Sequence, residues 1–326
     1  MGLMLAGMQW LWLVPAALVL DLALGDPRLP WRHPVCWIGS WLNWLEPRAR
    51  RLGGGRAVGA ACVVLTVLLA SGLVWLLSSL PYVGPLFALY FAWAGLAIGS
   101  LTDTGRRVLR SLEEDELPEA RASLNQLVSR ETSAMDRPRL KKTLADTLSE
   151  NFTDACIAPL FWLVVGGPAG LWMHRAVSTM DSMWGYRTPR WLRLGWGGAR
   201  ADDVLAWIPA RLGVAILWLT DRLTGTSARW QGSWPGFRRV AAQASGMPSP
   251  NSGWSMTACA WLLGARMGGD EVYFGEAVRK PLLGPDDDGG RVWDGPRLSA
   301  LCQLMTQASC IGACLMYAAA LLIVLA

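Results

Sequence analysis

Four stretches of this chain are apolar for long enough to span a lipid bilayer, which needs about 18 or more consecutive apolar residues. They cover residues 3–24, 57–80, 83–101 and 299–326. The first is broken only by Asp21, and it lacks the basic start and small-residue cleavage site of a signal peptide, so it reads as an anchor. The second and fourth carry no charge. The second and third are separated by a tight turn at Pro81 and should form a membrane hairpin. Backbone groups in hydrocarbon must find their partners within the segment, which favours helices. The expected fold class is therefore all-α: a polytopic integral membrane protein, with residues 1–326 as a single membrane-embedded domain.

Two further apolar runs are shorter or broken. Residues 155–173 contain Gly166-Gly167-Pro168, which should kink or break a helix. Residues 204–220 hold Pro209 and Arg211, and a guanidinium at membrane depth is expensive enough to mark function. Both are expected to be re-entrant or half-buried helices lining a cavity, where irregular backbone is tolerated. The composition agrees with a membrane protein: 52% of the 326 residues are hydrophobic and 17% are charged, against about 25% charged in soluble domains.

Basic residues set the orientation. Segments 25–56, 102–154, 174–203 and 221–297 carry 6, 9, 5 and 9 Lys and Arg, and the link between the second and third spans has none. Positive loops stay in the cytoplasm, which puts all four polar segments on the cytoplasmic side of the cytoplasmic (inner) membrane. It also argues against a full crossing by 155–173. Between residues 110 and 151 the apolar positions Leu112, Leu117, Ala120, Leu124, Leu127 and Val128 trace one helical stripe. Residues 232–250, rich in Gly, Ser and Pro, read as loop, and "GPDDDGGR" at 284–291 reads as a solvated turn. The seven cysteines form no CxxC pair. Cys62, Cys302, Cys310 and Cys314 lie in apolar runs, and Cys36, Cys156 and Cys259 are isolated, so all are read as packing. Two histidines are too few for a histidine metal site.

Polar clusters punctuate the apolar segments. "LGDPRLPWRHPVCWIG" places Asp26, Arg28, Arg32 and His33 in a proline-pinned loop. "VSRETSAMD" offers Arg130 and Glu131. "LSENFTDACIAPLFW" sets Asp146, Glu150 and Asp154 at four-residue spacing, on one face of a helix that enters an apolar run. "STMDSMWGYRTPRW" gathers Asp181, Tyr186 and Arg187 around Gly185. "ARADDVLAWIPAR" adds Asp202, Asp203 and Arg211. "SPNSGWSMTACA" supplies Asn251 and Ser252 in a helix-capping position. Carboxylates bind Mg²⁺ while it keeps several waters, and arginine grips phosphate through two parallel bonds. Such clusters suit a phosphorylated ligand. No Walker loop, GxGxxG or GxSxG element is present, and no nucleic-acid partner is expected.

In order and spacing, "GDPRLPWRHPVCWIG", "SENFTDACIAPLFW", "STMDSMWGYRTPRW", "ARADDVLAWIPAR" and "PNSGW" resemble the CobD/CbiB family of adenosylcobinamide-phosphate synthases over nearly the whole chain. The chain departs from the family at Ser129 and Glu131, where a GRDT-like element is usual, and at Cys36, where a basic residue often follows HPV. The resemblance implies a late, ATP- and Mg²⁺-dependent step of cobalamin biosynthesis. In that step adenosylcobyric acid is joined through an amide to (R)-1-amino-2-propanol O-phosphate, or to ethanolamine phosphate, beside other late membrane enzymes of the pathway. It further implies roles for individual residues. Glu150, Asp154 and Asp181 would hold Mg²⁺ or orient the amine. Arg130, Arg187 and Arg211 would bind phosphates or the corrinoid's negative edge. Asn151, Asn251 and Ser252 would hydrogen-bond substrate amides, with His33 and Tyr186 also at the substrate. Two alternatives are an AmpE-like signalling protein and a corrinoid-binding or transport protein. Retention of DSMWGYR and PNSGW speaks against the first.

Overall fold

The computed structural model describes residues 10–325, except 28, 29, 31, 129, 130, 231, 233, 274, 275 and 286–291. Arg28, Ser129 and Arg130, most of the GPDDDGGR turn and residues 3–9 of the first apolar run lie outside the described residues. The chain is built from helices: α1 (Leu13–Leu24), α2 (Pro34–Arg51), α3 (Arg56–Ser78), α4 (Gly84–Ala94), α5 (Ile98–Glu113), α6 (Leu117–Asn125) and α7 (Arg137–Phe152), then a π turn (Thr153–Ile157). After it come α8 (Ala158–Trp184), α9 (Trp196–Leu205), α10 (Trp207–Thr224), α11 (Phe237–Ala244), α12 (Ser252–Leu263) and α13 (Gly295–Leu325). The only described strands are β1 (Met267–Gly268), β2 (Glu271–Tyr273), β3 (Glu276–Val278) and β4 (Leu282–Leu283), in two antiparallel pairs, β1–β4 and β2–β3.

Among the described residues, four helical stretches are long and apolar enough to cross a membrane: Arg56–Ser78, Gly84–Glu113, Arg137–Trp184 and Gly295–Ile323. Trp196–Leu205 and Trp207–Thr224 pass only together, as a bent pair. This is a polytopic all-α membrane protein. Of the first apolar run, the described part forms the 12-residue α1. Residues 155–173 lie inside the stretch Arg137–Trp184. The Gly-Gly-Pro element kinks α8 without ending it, because Gly167 takes φ 61° and ψ −160° and the helix resumes beyond Pro168. A side chain at that positive φ would be strained, and its Cβ would also press on Trp10.

The contacts gather into two compact units, each stitched from separate stretches of chain. The first comprises residues 1–97, 158–206 and 313–326. Its centre is the packing of α3 and α9 on α8. Glycines make this close: a Cβ at Gly197 would approach the Ala60 backbone to 3.0 Å, and one at Gly198 would lie 3.2 Å from Met180. His33 opens α2 by accepting a hydrogen bond from Val35 N–H, with Pro34 in the first turn.

The second unit comprises residues 98–157 and 207–312. Its core is α12, buried from Ser255 to Leu263 and packed against α7, α10 and α11. The apolar positions read from the sequence are divided between two helices, Leu112 on α5 and Ala120 and Leu124 on α6, all three buried. Residues 232–250 are not all loop: Val240 and Ala244, one turn apart, bury one side of the short helix α11. Cys259 is buried against α7, and burial pushes its thiol up to about 12. That suits packing and not chemistry.

Candidate functional site

In the second unit, three of the sequence clusters converge on α12. Helix α7 carries Glu150 and Asn151, both half-buried, and begins where the Asp136 side chain accepts from Arg139 N–H at 3.0 Å. The π turn follows at once and holds Asp154. A π turn adds one residue to the helical ladder, and such turns recur at functional sites. It also changes the register, so the even four-residue spacing of Asp146, Glu150 and Asp154 does not give one uniform carboxylate stripe. Asp146 serves the fold instead. It is 2% exposed, accepts from Gly268 N–H at 3.1 Å and pairs with Lys142 Nζ at 3.1 Å, and Lys142 also donates to the Gly268 carbonyl. This ties α7 to β1.

Helix α10 packs against both the π turn and α12, and it carries Arg211. The sequence leaves two partners open for this guanidinium, a protein carboxylate or a substrate anion. Among the described residues no carboxylate meets it. Arg211 Nη1 donates to Asn251 Oδ1 at 2.9 Å and to the Trp207 carbonyl at 2.8 Å, and Nη2 donates to the Pro250 carbonyl at 3.4 Å. Two indole rings flank it, Trp207 at 4.2 Å and Trp254 at 4.6 Å from the ring centroids. Each ring face contributes about 0.5–1 kcal/mol, more where water is excluded. A hydrogen bond to a charged group adds about 1.5–3 kcal/mol. These contacts hold the guanidinium in place and leave its charge intact.

Asn251 overturns a local expectation. It precedes α12 in the N-cap position, yet its side chain makes no capping hydrogen bond. Its oxygen is turned to Arg211, and at 5% exposure it is one of the more buried polar residues. Ser252, the first residue of α12, is half-buried. "PNSGW" and "WIPAR" thus form one structure: Asn251 and Trp254 on one side of the guanidinium, Trp207 on the other. The sequence holds a signal for this, since Trp207 stands four residues before Arg211 and Trp254 three after Asn251, each one helical turn away.

The remaining residues belong to the first unit. Asp181, near the end of α8, faces Asp203 of α9. Its carboxylate lies over Gly185, whose N–H donates to the Asp181 carbonyl at 2.6 Å, and a Cβ at 185 would collide with that carboxylate. The glycine of DSMWGY is thereby explained. Asp203 is also held by Arg200 at 3.1 Å. Tyr186 is half-buried and Arg187 exposed in the segment that follows. His33 is half-buried near Asp26, Arg175 and the Ala94 carbonyl. Burial holds its imidazole below the usual 6.5, helped by the Arg175 charge and opposed by Asp26 and the Ala94 carbonyl. Because Val35 N–H donates to Nδ1, the proton of the neutral ring sits on Nε2.

The three carboxylates expected to share a metal are divided between the units, Glu150 and Asp154 in the second and Asp181 in the first. Among the described residues no three His, Cys, Asp or Glu side chains form a metal-holding group. A Mg²⁺ ion held by one or two carboxylates would need water and phosphate oxygens for its other positions. Asp181 and Asp203 are the pair that face each other.

The family model described as CobD/Cbib protein matches residues 14–299. The chain belongs to the CobD/CbiB family. Among the relatives of this CobD/CbiB chain, the cobalamin biosynthesis protein CobD of Geobacter metallireducens is 37% identical over 305 residues, covering 91% of this chain and 93% of its own. CobD of Pelobacter propionicus is 38% identical over 296 residues, covering 89% and 88%. The cobalamin biosynthesis protein CbiB of Salmonella typhi is 34% identical over 312 residues, covering 93% and 95%. No solved structure matches the chain.

Proposed function

We propose that this CobD/CbiB protein, whose role in cobalamin biosynthesis rests on its family, is the ligase that joins adenosylcobyric acid to an amino alcohol phosphate. The amine is (R)-1-amino-2-propanol O-phosphate or ethanolamine phosphate, and the reaction takes place at the cytoplasmic face of the inner membrane, beside other late enzymes of the pathway. The observation that carries the reading is Arg211: a guanidinium braced by Asn251, Trp207 and Trp254, with no carboxylate partner among the described residues. A fixed arginine that keeps its charge suits a phosphate or carboxylate, which it can grip through two parallel bonds.

The chemistry forms an amide from a carboxylate, which ATP makes possible by phosphorylating that carboxylate with loss of ADP. Mg²⁺ held by Asp181 with Asp203, or by Glu150 and Asp154, would neutralise phosphate charge. The amine nitrogen then attacks the activated carbonyl carbon and phosphate leaves. The nitrogen must lose a proton as it attacks, which requires a carboxylate base within hydrogen-bond reach, a role assigned to Glu150 or Asp154. In the second unit, Arg211 takes an anionic group of the substrate, and Asn151 and Ser252 bind its amides.

The test is substrate discrimination by the purified protein in detergent with ATP and Mg²⁺. Amide product is expected with the phosphorylated amine and almost none with the amine lacking phosphate. Equal use of both would remove the phosphate from recognition and Arg211 from this role.

A further inference from the structure

The first unit contains an apolar cavity of about 200 Å³ that the proposed reaction leaves without a task. Its mouth lies between α2 and α3, where Trp37, Leu69 and Leu73 are 43%, 49% and 47% exposed, and its floor is the buried Val74, Phe91 and Trp172. Two of its three tryptophans have spent their N–H groups: Trp41 donates to Thr66 Oγ1 at 3.1 Å and Trp172 to the Phe91 carbonyl at 2.8 Å. The Thr66 hydroxyl in turn donates to the Cys62 carbonyl at 2.7 Å. A cavity with such walls offers water little, and apolar cavities of about 150 Å³ stay dry and take up hydrocarbon. Helix α3 is a membrane-spanning candidate of which only 17% is buried within the protein, so the medium at the mouth is acyl chain.

The same helix pair ends in a basic rim. Arg48, Arg50 and Arg51 close α2, Arg56 opens α3, and the segment before α9 brings Arg190 and Arg193. Arg50 donates to the Arg190 carbonyl at 3.0 Å, which fixes that segment against the rim. Among the described residues Glu46 is the acidic residue at this rim, and Arg50 and Arg190 already share it, at 2.8 and 2.7 Å. Arg48 instead lies 3.5 Å over the Trp44 ring and Arg56 lies 5.3 Å over Trp196. Among the described residues neither meets a carboxylate. Surplus arginine interleaved with tryptophan is the pattern of an interface with anionic lipid.

Along α3, the 13 residues from Arg56 to Leu69 rise roughly 20 Å. That is about half the 40–45 Å thickness of a bilayer with its headgroups, the reach of one phospholipid from phosphate to chain end. We infer that the groove between α2 and α3 holds one anionic phospholipid, with its phosphate on the arginine rim and an acyl chain in the cavity. The inference stands apart from the ligase reading and can fail without it.

The experiment uses the whole protein in mild detergent, with native mass spectrometry to count retained lipid and thermal melting to read its effect. The probes are phosphatidylglycerol, phosphatidylcholine and free glycerol 3-phosphate. The expected result is one phosphatidylglycerol per chain and a higher melting temperature with it than with phosphatidylcholine or glycerol 3-phosphate. Arg48→Gln and Arg56→Gln should each lower the preference for the anionic lipid about fivefold, the effect of one basic residue at an anionic surface. Ala70→Trp should fill the cavity and abolish retention of both lipids, and Leu73→Trp, at the exposed mouth, serves if that variant does not fold. Equal retention of the two lipids by the unaltered protein would overturn the inference. Retention by both cavity variants, or displacement of the lipid by adenosylcobyric acid, would do the same.

Discussion

Arg211 donates to Asn251 across 40 residues of sequence, Nη1 to Oδ1 at 2.9 Å, and this bond joins the WIPAR and PNSGW motifs into one structure. Its neutral partner leaves the positive charge intact. Arg211→Lys keeps the charge but loses the fork and the broad contact with two indoles. Apparent affinity for the phosphorylated amine should fall about tenfold, or ~1.4 kcal/mol. Asn251→Asp should lower affinity further while leaving the melting temperature equal or higher, because it supplies the counter-ion that the native chain omits. Steady-state kinetics and melting of the two variants decide this. Unchanged kinetics with lowered stability would make Arg211 a structural residue only.

Asp181 is read as a phosphate–metal carboxylate. Asp181→Asn should abolish turnover while expression and corrinoid binding stay nearly intact. Gly185→Ala should reduce turnover too, since its Cβ would push on that carboxylate. Normal turnover in Asp181→Asn would take the residue out of the site.

Two groups outside the membrane-spanning segments give stability a pH dependence on the acid side. His33 is held below 6.5 by burial, so the unfolded chain takes up its proton first. Stability should fall as pH drops from about 6.5, until the folded imidazole is protonated too. Burial would raise the Glu46 carboxyl, but the Arg190 and Arg50 guanidiniums outweigh it and hold the group below its usual 4.5. Its contribution is complete above 4.5 and is lost as pH falls through the lower folded value. Melting curves from pH 4 to 8 should show both losses, the upper one missing in His33→Gln and the lower in Glu46→Gln. Unaltered profiles in these variants would refute the assignment.

The Arg50–Arg190 contact also bears on topology. It holds the segment after α8 against the end of α2, so both share one side of the membrane. The density of arginine predicts that this side is cytoplasmic. With exposed Cys36 and Cys314 first replaced, single cysteines at Arg193 and Arg200 should resist an impermeant thiol reagent in intact cells and react after permeabilisation. Labelling from outside would reverse the orientation.

Much of the fold was legible because hydrocarbon imposes length and polarity on each segment. The uncharged run that becomes α3 could hardly be anything else, and the Gly166-Gly167-Pro168 kink followed from backbone chemistry. Other features depend on tertiary partners. Nothing local shows that Asn251 forgoes capping for Arg211, or that Asp146 is spent on Gly268. The π turn arises where α7 runs on into α8, and four-residue spacing gave no sign of it.

The most direct measurement is a stoichiometry. Purified protein in detergent would receive adenosylcobyric acid, (R)-1-amino-2-propanol O-phosphate, ATP and Mg²⁺, with the corrinoid mass and ADP followed together. The ligase account predicts one ADP for each amide formed, and neither product when either substrate is left out. Corrinoid binding with no ATP-dependent mass change would contradict it and leave a binding or transport protein.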